Sequence, residues 1–161
     1  FAILGNYALG FQFFIILNIL PSISFKYLIA QDISGIANKK LKKIIVLTSI
    51  VIAILGLTVG PMIMSYIFPK FVESGDVIRI ISLAVIPLTI QSTYYFPKFW
   101  AHEKSRLIAF TAIVTVTTQI IGILILGPVY GSIGIASAFV ISAVCANICV
   151  LIMDRFFFHK T

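Results

Sequence analysis

The sequence predicts an all-α protein, a polytopic bundle of transmembrane helices, and three observations carry this prediction. Of the 161 residues, 60% are apolar and only 11% are charged, whereas a typical soluble domain is about 25% charged. The mean hydropathy is +1.13. An uncharged apolar run, residues 44–68, follows directly on a segment with four lysines, residues 39–43. A helix of that length, at about 1.5 Å per residue, covers the roughly 30 Å hydrocarbon core of a bilayer.

Five spans are expected along the chain, which we treat as one transmembrane lobe, residues 1–161. They lie at about residues 3–30, 44–68, 77–99, 107–126 and 132–153. Pro21 falls inside the first span and predicts a kink, because proline removes a backbone donor and membrane helices tolerate that loss. Polar or glycine-containing connections separate the spans. They are the linker 31–43, the turn 69–76, the charged link 101–106 and the uncharged turn 127–131.

The distribution of basic residues predicts the orientation of these spans. Basic loops remain in the cytoplasm, so the lysines that precede the second span put that end of it inside. Alternation then places the amino-terminal end outside and the carboxy-terminal end in the cytoplasm. Ten of the twelve basic residues fall on the cytoplasmic side, and Lys70 and Arg79 fall outside. The cytoplasmic ten are Lys26, Lys39, Lys40, Lys42, Lys43, Lys98, Lys104, Arg106, Arg155 and Lys160.

The start of the chain predicts that it is a piece of a longer polypeptide. It opens at Phe1 in apolar sequence, without an initiator Met or a secretory signal pattern. An odd number of spans that begins outside also requires earlier crossings if the whole protein starts in the cytoplasm. We therefore expect an amino-terminal lobe of the same polypeptide as a partner.

Several function classes are disfavoured. The net charge of +7 would suggest nucleic acid for a soluble protein, but basic loops beside apolar spans serve orientation and contact anionic lipids. The five acids and both histidines lie in loops or at span ends, and no catalytic motif is present. Cys145 and Cys149 lie one helical turn apart in an apolar run and are interpreted as inert packed thiols. We expect no enzyme, no metal, no cofactor and no nucleic-acid partner.

Polar residues within the spans are the candidate functional residues, because polar groups in hydrocarbon usually face a bundle interior or an aqueous cavity. Lys26 and Lys98 lie near cytoplasmic span ends, where snorkelling to the headgroups is the competing interpretation. The amides can either line a cavity or form hydrogen bonds between helices. The candidate cavity residues are Asn18, Lys26, Gln91, Lys98 and Gln119. Asn147 has the same two interpretations.

Two stripes favour structural roles. Thr111, Thr115 and Thr118 in the fourth span can bond their own backbone carbonyls. In the fifth span, small residues recur every four positions, at Gly134, Ala138, Ser142 and Ala146, and predict a face for close helix packing.

Three segments together resemble a known family. Residues 67–81 look like its span end, short external loop and following helix. Residues 99–106 correspond to its short basic cytoplasmic link, and residues 127–138 are similar to its glycine-rich turn into a small-residue helix. On these segments the chain resembles the C-terminal half of polysaccharide and oligosaccharide-lipid flippases, in the multidrug/oligosaccharidyl-lipid/polysaccharide exporter superfamily.

The resemblance implies translocation of a lipid-linked glycan across the cytoplasmic membrane by alternating access between two lobes, driven by a proton or sodium gradient. Lys26 or Lys98 is then the candidate to receive the pyrophosphate, and Asn18, Gln91 or Gln119 to bond sugar hydroxyls. Two alternatives stay open. One is a multidrug or organic-cation antiporter of the same superfamily, which would favour a buried acid. The other is a membrane enzyme or scaffold of glycan assembly.

Overall fold

The computed structural model describes residues 2–35, 38–71 and 74–158, and every regular element in these ranges is helical. The helical class predicted from the sequence is therefore confirmed. Glu73, His159 and Lys160 lie outside the described residues. The α-helices are α1 (Ala2–Leu17), α2 (Ile19–Ile33), α3 (Lys39–Ile67), α4 (Ser74–Ser82), α5 (Val85–Ile90), α6 (Phe96–Ala101) and α7 (Ser105–Phe158). A 3-10 turn, Pro69–Phe71, precedes α4, and a π-helical turn, Gln91–Tyr95, joins α5 to α6.

Three helical stretches of the described chain are long and apolar enough to cross a membrane, namely Lys39–Ile67, Ser74–Ala101 and Ser105–Phe158. A fourth is obtained if α1 and α2 count as one broken span. By length and composition, the structure thus has three or four candidate spans where the sequence predicted five. The difference lies in α7, which covers both of the last two predicted spans.

α7 folds back on itself at Gly131. Its 54 residues would extend about 80 Å if straight, yet Gly131 has the non-helical dihedrals φ 58° and ψ −131°. A Cβ built on Gly122 would lie only 2.8 Å from the Cβ of Ala138. Farther from the bend, Thr111 Oγ1 and Met153 Sδ are 4.0 Å apart. The halves 105–130 and 132–158 are therefore antiparallel neighbours.

The kink predicted at Pro21 is confirmed, with its break three residues upstream. Pro21 has no N–H to donate to the carbonyl of Leu17, four residues earlier, and its ring crowds that carbonyl. The helix accordingly breaks at Asn18, between α1 and α2. The axes of the two pieces, Gly5–Leu17 and Pro21–Ile33, differ by 41°.

The core lies around α4, which packs against α1, α3 and α7. Val77 and Ile81 of α4 and Val85 at the start of α5 are fully buried there. Phe139 of α7 meets Phe11 and Phe14 of α1 edge to face, with ring centroids 5.8 and 5.1 Å apart. The small-residue face is buried along its length, as predicted, at Gly134, Ala138, Ser142 and Ala146. Large apolar side chains, including Ile54 and Leu124, remain exposed on the outside of the bundle.

Candidate functional site

A cavity of about 930 Å³ opens at one end of the bundle, where α2 ends, α3 begins and α6 and α7 end. Lysines are its most frequent lining residue, and we name it the basic cavity. It is lined by Asp32, Gly35, Lys39, Lys42, Lys43, Val46, Ile90, Tyr94, Tyr95, Lys98, Ala101, His102 and Asp154. The structure thus gathers at one end several of the segments that the sequence assigned to the cytoplasmic side.

The first five residues of α3 include three of the cavity lysines, Lys39, Lys42 and Lys43. Asn38 caps this helix, since its side-chain oxygen accepts a hydrogen bond from the Leu41 backbone N–H at 3.1 Å. The lysine cluster therefore starts the helix and is not part of the predicted linker 31–43. Cations are disfavoured at a helix N-terminus, where the helix dipole is positive. Asp32, at the end of α2, offsets this charge through its ion pair with Lys42, at 2.5 Å.

A second ion pair lies on the other side of the basic cavity. Lys98 Nζ in α6 contacts Asp154 Oδ1 near the end of α7 at 2.5 Å. The Lys98 side chain is 32% exposed and that of Asp154 is 16% exposed. A charge-assisted hydrogen bond of this kind is roughly twice as strong as a neutral one. It joins segments 56 residues apart in the sequence.

Charge in the basic cavity is only partly compensated. Four lysines line it against two aspartates, and the side chains of Lys39 and Lys43 are exposed. Within the described part of the chain, Asp32 Oδ1 and the neighbouring Gln31 Oε1 are buried without a hydrogen-bond partner. The cavity can therefore offer cationic donors to an anionic group, and its buried wall also holds an acceptor.

The π-helical turn, Gln91–Tyr95, supplies the aromatic part of the wall. Such turns insert an extra residue into a helix and occur often at functional sites. Tyr94 and Tyr95 line the basic cavity, together with Ile90 just before the turn. Their rings and hydroxyls place amphipathic surface beside the lysines, a combination suited to sugar or other polar groups next to an anion.

The five candidate residues from the sequence fall in different places. Lys98 lines the basic cavity. Asn18 and Lys26 lie together on a separate groove of about 280 Å³ along α1 and α2. Gln91 is 3% exposed and donates a hydrogen bond to the Ala143 carbonyl of α7 at 3.3 Å. Gln119 is half-buried in the 105–130 half of α7 and is not among the residues lining either cavity.

Two of the amides form hydrogen bonds between helices. Asn147 donates to the Pro87 carbonyl at 3.1 Å, as Gln91 does to the Ala143 carbonyl, and Asn147 also lines a groove of about 350 Å³. The threonine stripe bonds its own helix, as predicted. Thr111, Thr115 and Thr118 donate to carbonyls four residues earlier, at 2.7 to 2.9 Å.

Sequence reasoning missed Asp32, Lys42 and Asp154 as cavity residues. The sequence places all five acids only in loops or at span ends. A signal was present, since Lys98 and Asp154 both fall at predicted cytoplasmic span ends and can meet there.

No group of three or more His, Cys, Asp or Glu side chains is placed to hold a metal ion within residues 2–35, 38–71 and 74–158.

The long apolar helices and their exposed apolar faces are those of a helical membrane protein. No protein-family model, no curated protein and no solved structure matches the chain.

Proposed function

We propose that the chain is part of a transporter that moves lipid-linked oligosaccharide or polysaccharide precursors across the cytoplasmic membrane by alternating access. In this proposal the chain has no enzymatic activity. The observation that carries it is the basic cavity, a space of about 930 Å³ lined by four lysines at one end of an apolar helix bundle. The family resemblance of residues 67–81, 99–106 and 127–138 gives the class of cargo.

The chemistry of the basic cavity suits the head of such a cargo. A diphosphate is multiply charged, and lysine ammonium groups bind phosphate as point charges. Low-dielectric walls strengthen this attraction. The volume lies within the roughly 300–1,000 Å³ range of ligand sites, so it has room for a diphosphate and its nearest sugar. Tyr94 and Tyr95 provide the wall for that sugar.

We also propose five membrane crossings, with the amino-terminal end outside and the basic cavity facing the cytoplasm. The fold-back at Gly131 supports two crossings within α7, and α1 with α2 supports one broken crossing. The ten-to-two division of basic residues supports the orientation. An amino-terminal lobe would close the transport path opposite this one, and a proton or sodium ion would drive the cycle.

The alternative of an organic-cation antiporter has one observation in its favour. Asp32 and Asp154 both line the basic cavity, and one oxygen of Asp32 is buried without a partner in the described chain. Each carboxylate is, however, paired with a lysine, and two further lysines line the same space. The charge balance therefore favours an anionic cargo.

Transport in proteoliposomes made with the full-length protein tests the proposal. We expect uptake of a fluorescent lipid-linked glycan and none of a fluorescent organic cation. Lys98→Glu should lower glycan uptake roughly tenfold or more, since it removes a charged donor from the cavity. Lys26→Glu is the matched control, because Lys26 lies on the other groove, and it should leave uptake unchanged. Cation uptake, or equal loss in both variants, would overturn the assignment.

A further inference from the structure

Two side chains near the end of α7 contact Lys98. Asp154 and Phe158 are four residues apart, so they lie on the same face of the helix. The Asp154 carboxylate is 2.5 Å from Lys98 Nζ, and the same nitrogen lies 4.2 Å from the centroid of the Phe158 ring. The ammonium group of Lys98 thus contacts both a carboxylate and an aromatic ring. The carboxylate would compete with a bound phosphate for Lys98, whereas the neutral ring would not.

The Phe158 ring is itself fixed by its neighbours. It stacks on fully buried Phe99 with centroids 5.8 Å apart and an interplanar angle of 5°. His102 meets it edge to face at 4.9 Å. Lys104 Nζ lies 4.1 Å from its centroid and donates a hydrogen bond to the Phe157 carbonyl at 3.3 Å. The Phe158 ring is therefore held in a fixed position where it can contact an ammonium group, although Phe158 does not line the basic cavity.

We propose that Asp154 and Phe158 form an exchangeable seat for Lys98. The inference rests on the transport function proposed above. With no cargo bound, Asp154 neutralises Lys98. When a phosphate group enters the basic cavity it displaces the carboxylate, while the face of the Phe158 ring keeps the ammonium group oriented toward the incoming anion. Asp154 is thus a competitor for Lys98, and Phe158 is a positioning residue that acts through Lys98.

The two roles predict changes of opposite sign in anion affinity. Asp154→Asn removes the competing charge while keeping the side-chain shape, so phosphate should bind more tightly. Phe158→Leu keeps apolar bulk but removes the aromatic quadrupole that attracts the cation, so phosphate should bind more weakly. The loss should be roughly twofold to thirtyfold, the range for a cation–π contact. A merely structural role would move both variants in the same direction.

The test measures binding of farnesyl diphosphate to the full-length protein in phosphatidylcholine nanodiscs, with inorganic pyrophosphate as a second probe. We expect a lower Kd for Asp154→Asn, a higher Kd for Phe158→Leu and recovery in Phe158→Tyr, which keeps the ring. Phe156→Leu is the matched control, because the Phe156 side chain is 63% exposed, and its Kd should match the wild type. In a Lys98→Gln background, the two effects should disappear.

Shifts of the same sign in Asp154→Asn and Phe158→Leu, or shifts that persist without Lys98, would overturn the seat. Failure of the wild-type protein to bind either farnesyl diphosphate or pyrophosphate would also overturn the seat. Binding of both probes would show that the protein recognises the diphosphate itself. Binding of farnesyl diphosphate alone would show that the lipid chain is also needed. Either result supports the seat if Asp154→Asn lowers the Kd and Phe158→Leu raises it. If the two Kd shifts have opposite signs but the protein moves no glycan, the proposed roles of Asp154 and Phe158 stand and the transport function is overturned. If the protein moves glycan but the two Kd shifts have the same sign, only the roles of Asp154 and Phe158 are overturned.

Discussion

The carboxylate of Asp32 lies 2.5 Å from the ammonium group of Lys42, and the two side chains are only 8% and 10% exposed. This pair joins the end of α2 to the first turn of α3 and forms one wall of the basic cavity. A buried pair is costly to break, because the partner left behind is an uncompensated charge out of water. The Asp32–Lys42 pair therefore fixes the end of α2 against the start of α3.

Asp32→Asn should lower the free energy of unfolding by about 3 kcal/mol, as expected when one partner of a buried pair is removed. The matched control is Asp76→Asn in the exposed pair Arg79–Asp76, whose side chains are 57% and 55% exposed. That change should cost less than about 1 kcal/mol. Equilibrium unfolding in detergent micelles measures both. Equal losses in the two variants would contradict the burial argument.

The buried amides are predicted to stabilise helix packing without binding sugar. Gln91→Leu should lower the free energy of unfolding by about 1 kcal/mol, the scale of hydrogen bonds between membrane helices, because it removes the bond to the Ala143 carbonyl. Glycolipid transport per folded protein should remain. Gln119→Leu is the control, since Gln119 is only half-buried in α7, and the stability of this variant should not fall. Lost transport at unchanged stability in Gln91→Leu would instead assign Gln91 to the cargo.

Local composition, the proline at position 21 and the four-residue spacing of small side chains predicted the helical class, the kink near Pro21 and the buried small-residue face of α7, because each depends on residues close together in the sequence. The sequence did not show that Gln91 bonds a neighbouring helix while Lys98 lines the cavity. These residues are seven apart and share the side of their helical stretch that faces α7. Gln91 meets the carbonyl of small Ala143, whereas Lys98 meets Asp154 beside an open space.

What lies opposite each residue depends on the register between helices more than 50 residues apart in the sequence. A single sequence carries no direct record of that register. For the same reason the ion pairs of the basic cavity were not found, although every member had been identified as a charge near a span end. The contacts of Lys98 with Asp154 and Phe158 also depend on where α7 ends relative to α6, which no local pattern fixes.

Orientation is tested by labelling single cysteines in intact cells. Cys145 and Cys149 are first replaced by alanine, and one cysteine is then placed at Lys40, Tyr66, Ser105 or Val129. We expect a membrane-impermeant maleimide to label positions 66 and 129 from outside, and positions 40 and 105 only after permeabilisation, because basic segments stay in the cytoplasm. Tyr66 and Val129 are 90% and 68% exposed, so folding does not shield them. Labelling of 105 and 129 from the same side would contradict a crossing by the first half of α7.

The fold-back of α7 depends on two glycines for different reasons. Gly131 has a positive φ of 58° with ψ −131°, a conformation that side chains with a Cβ adopt only at a cost of about 1–3 kcal/mol. At Gly134 a Cβ would collide with the Leu126 carbonyl across the bend, and such overpacking costs about 1–3 kcal/mol. Gly131→Ala and Gly134→Ala should each lower the free energy of unfolding by that amount.

The matched control for both is Gly127→Ala in the same helix. A Cβ there would lie 3.7 Å from Ile135 Cγ1 and 3.8 Å from Ile123 Cγ2, which is ordinary van der Waals contact. Pro128 follows directly inside the helix and offsets the helix propensity of alanine, so the stability of Gly127→Ala should change less than that of either test variant. If Gly131→Ala and Gly134→Ala were as stable as Gly127→Ala in the same detergent, α7 would not bend at Gly131. The antiparallel pairing of its two halves, and with it the meeting of Lys98 with Asp154, would then require another explanation.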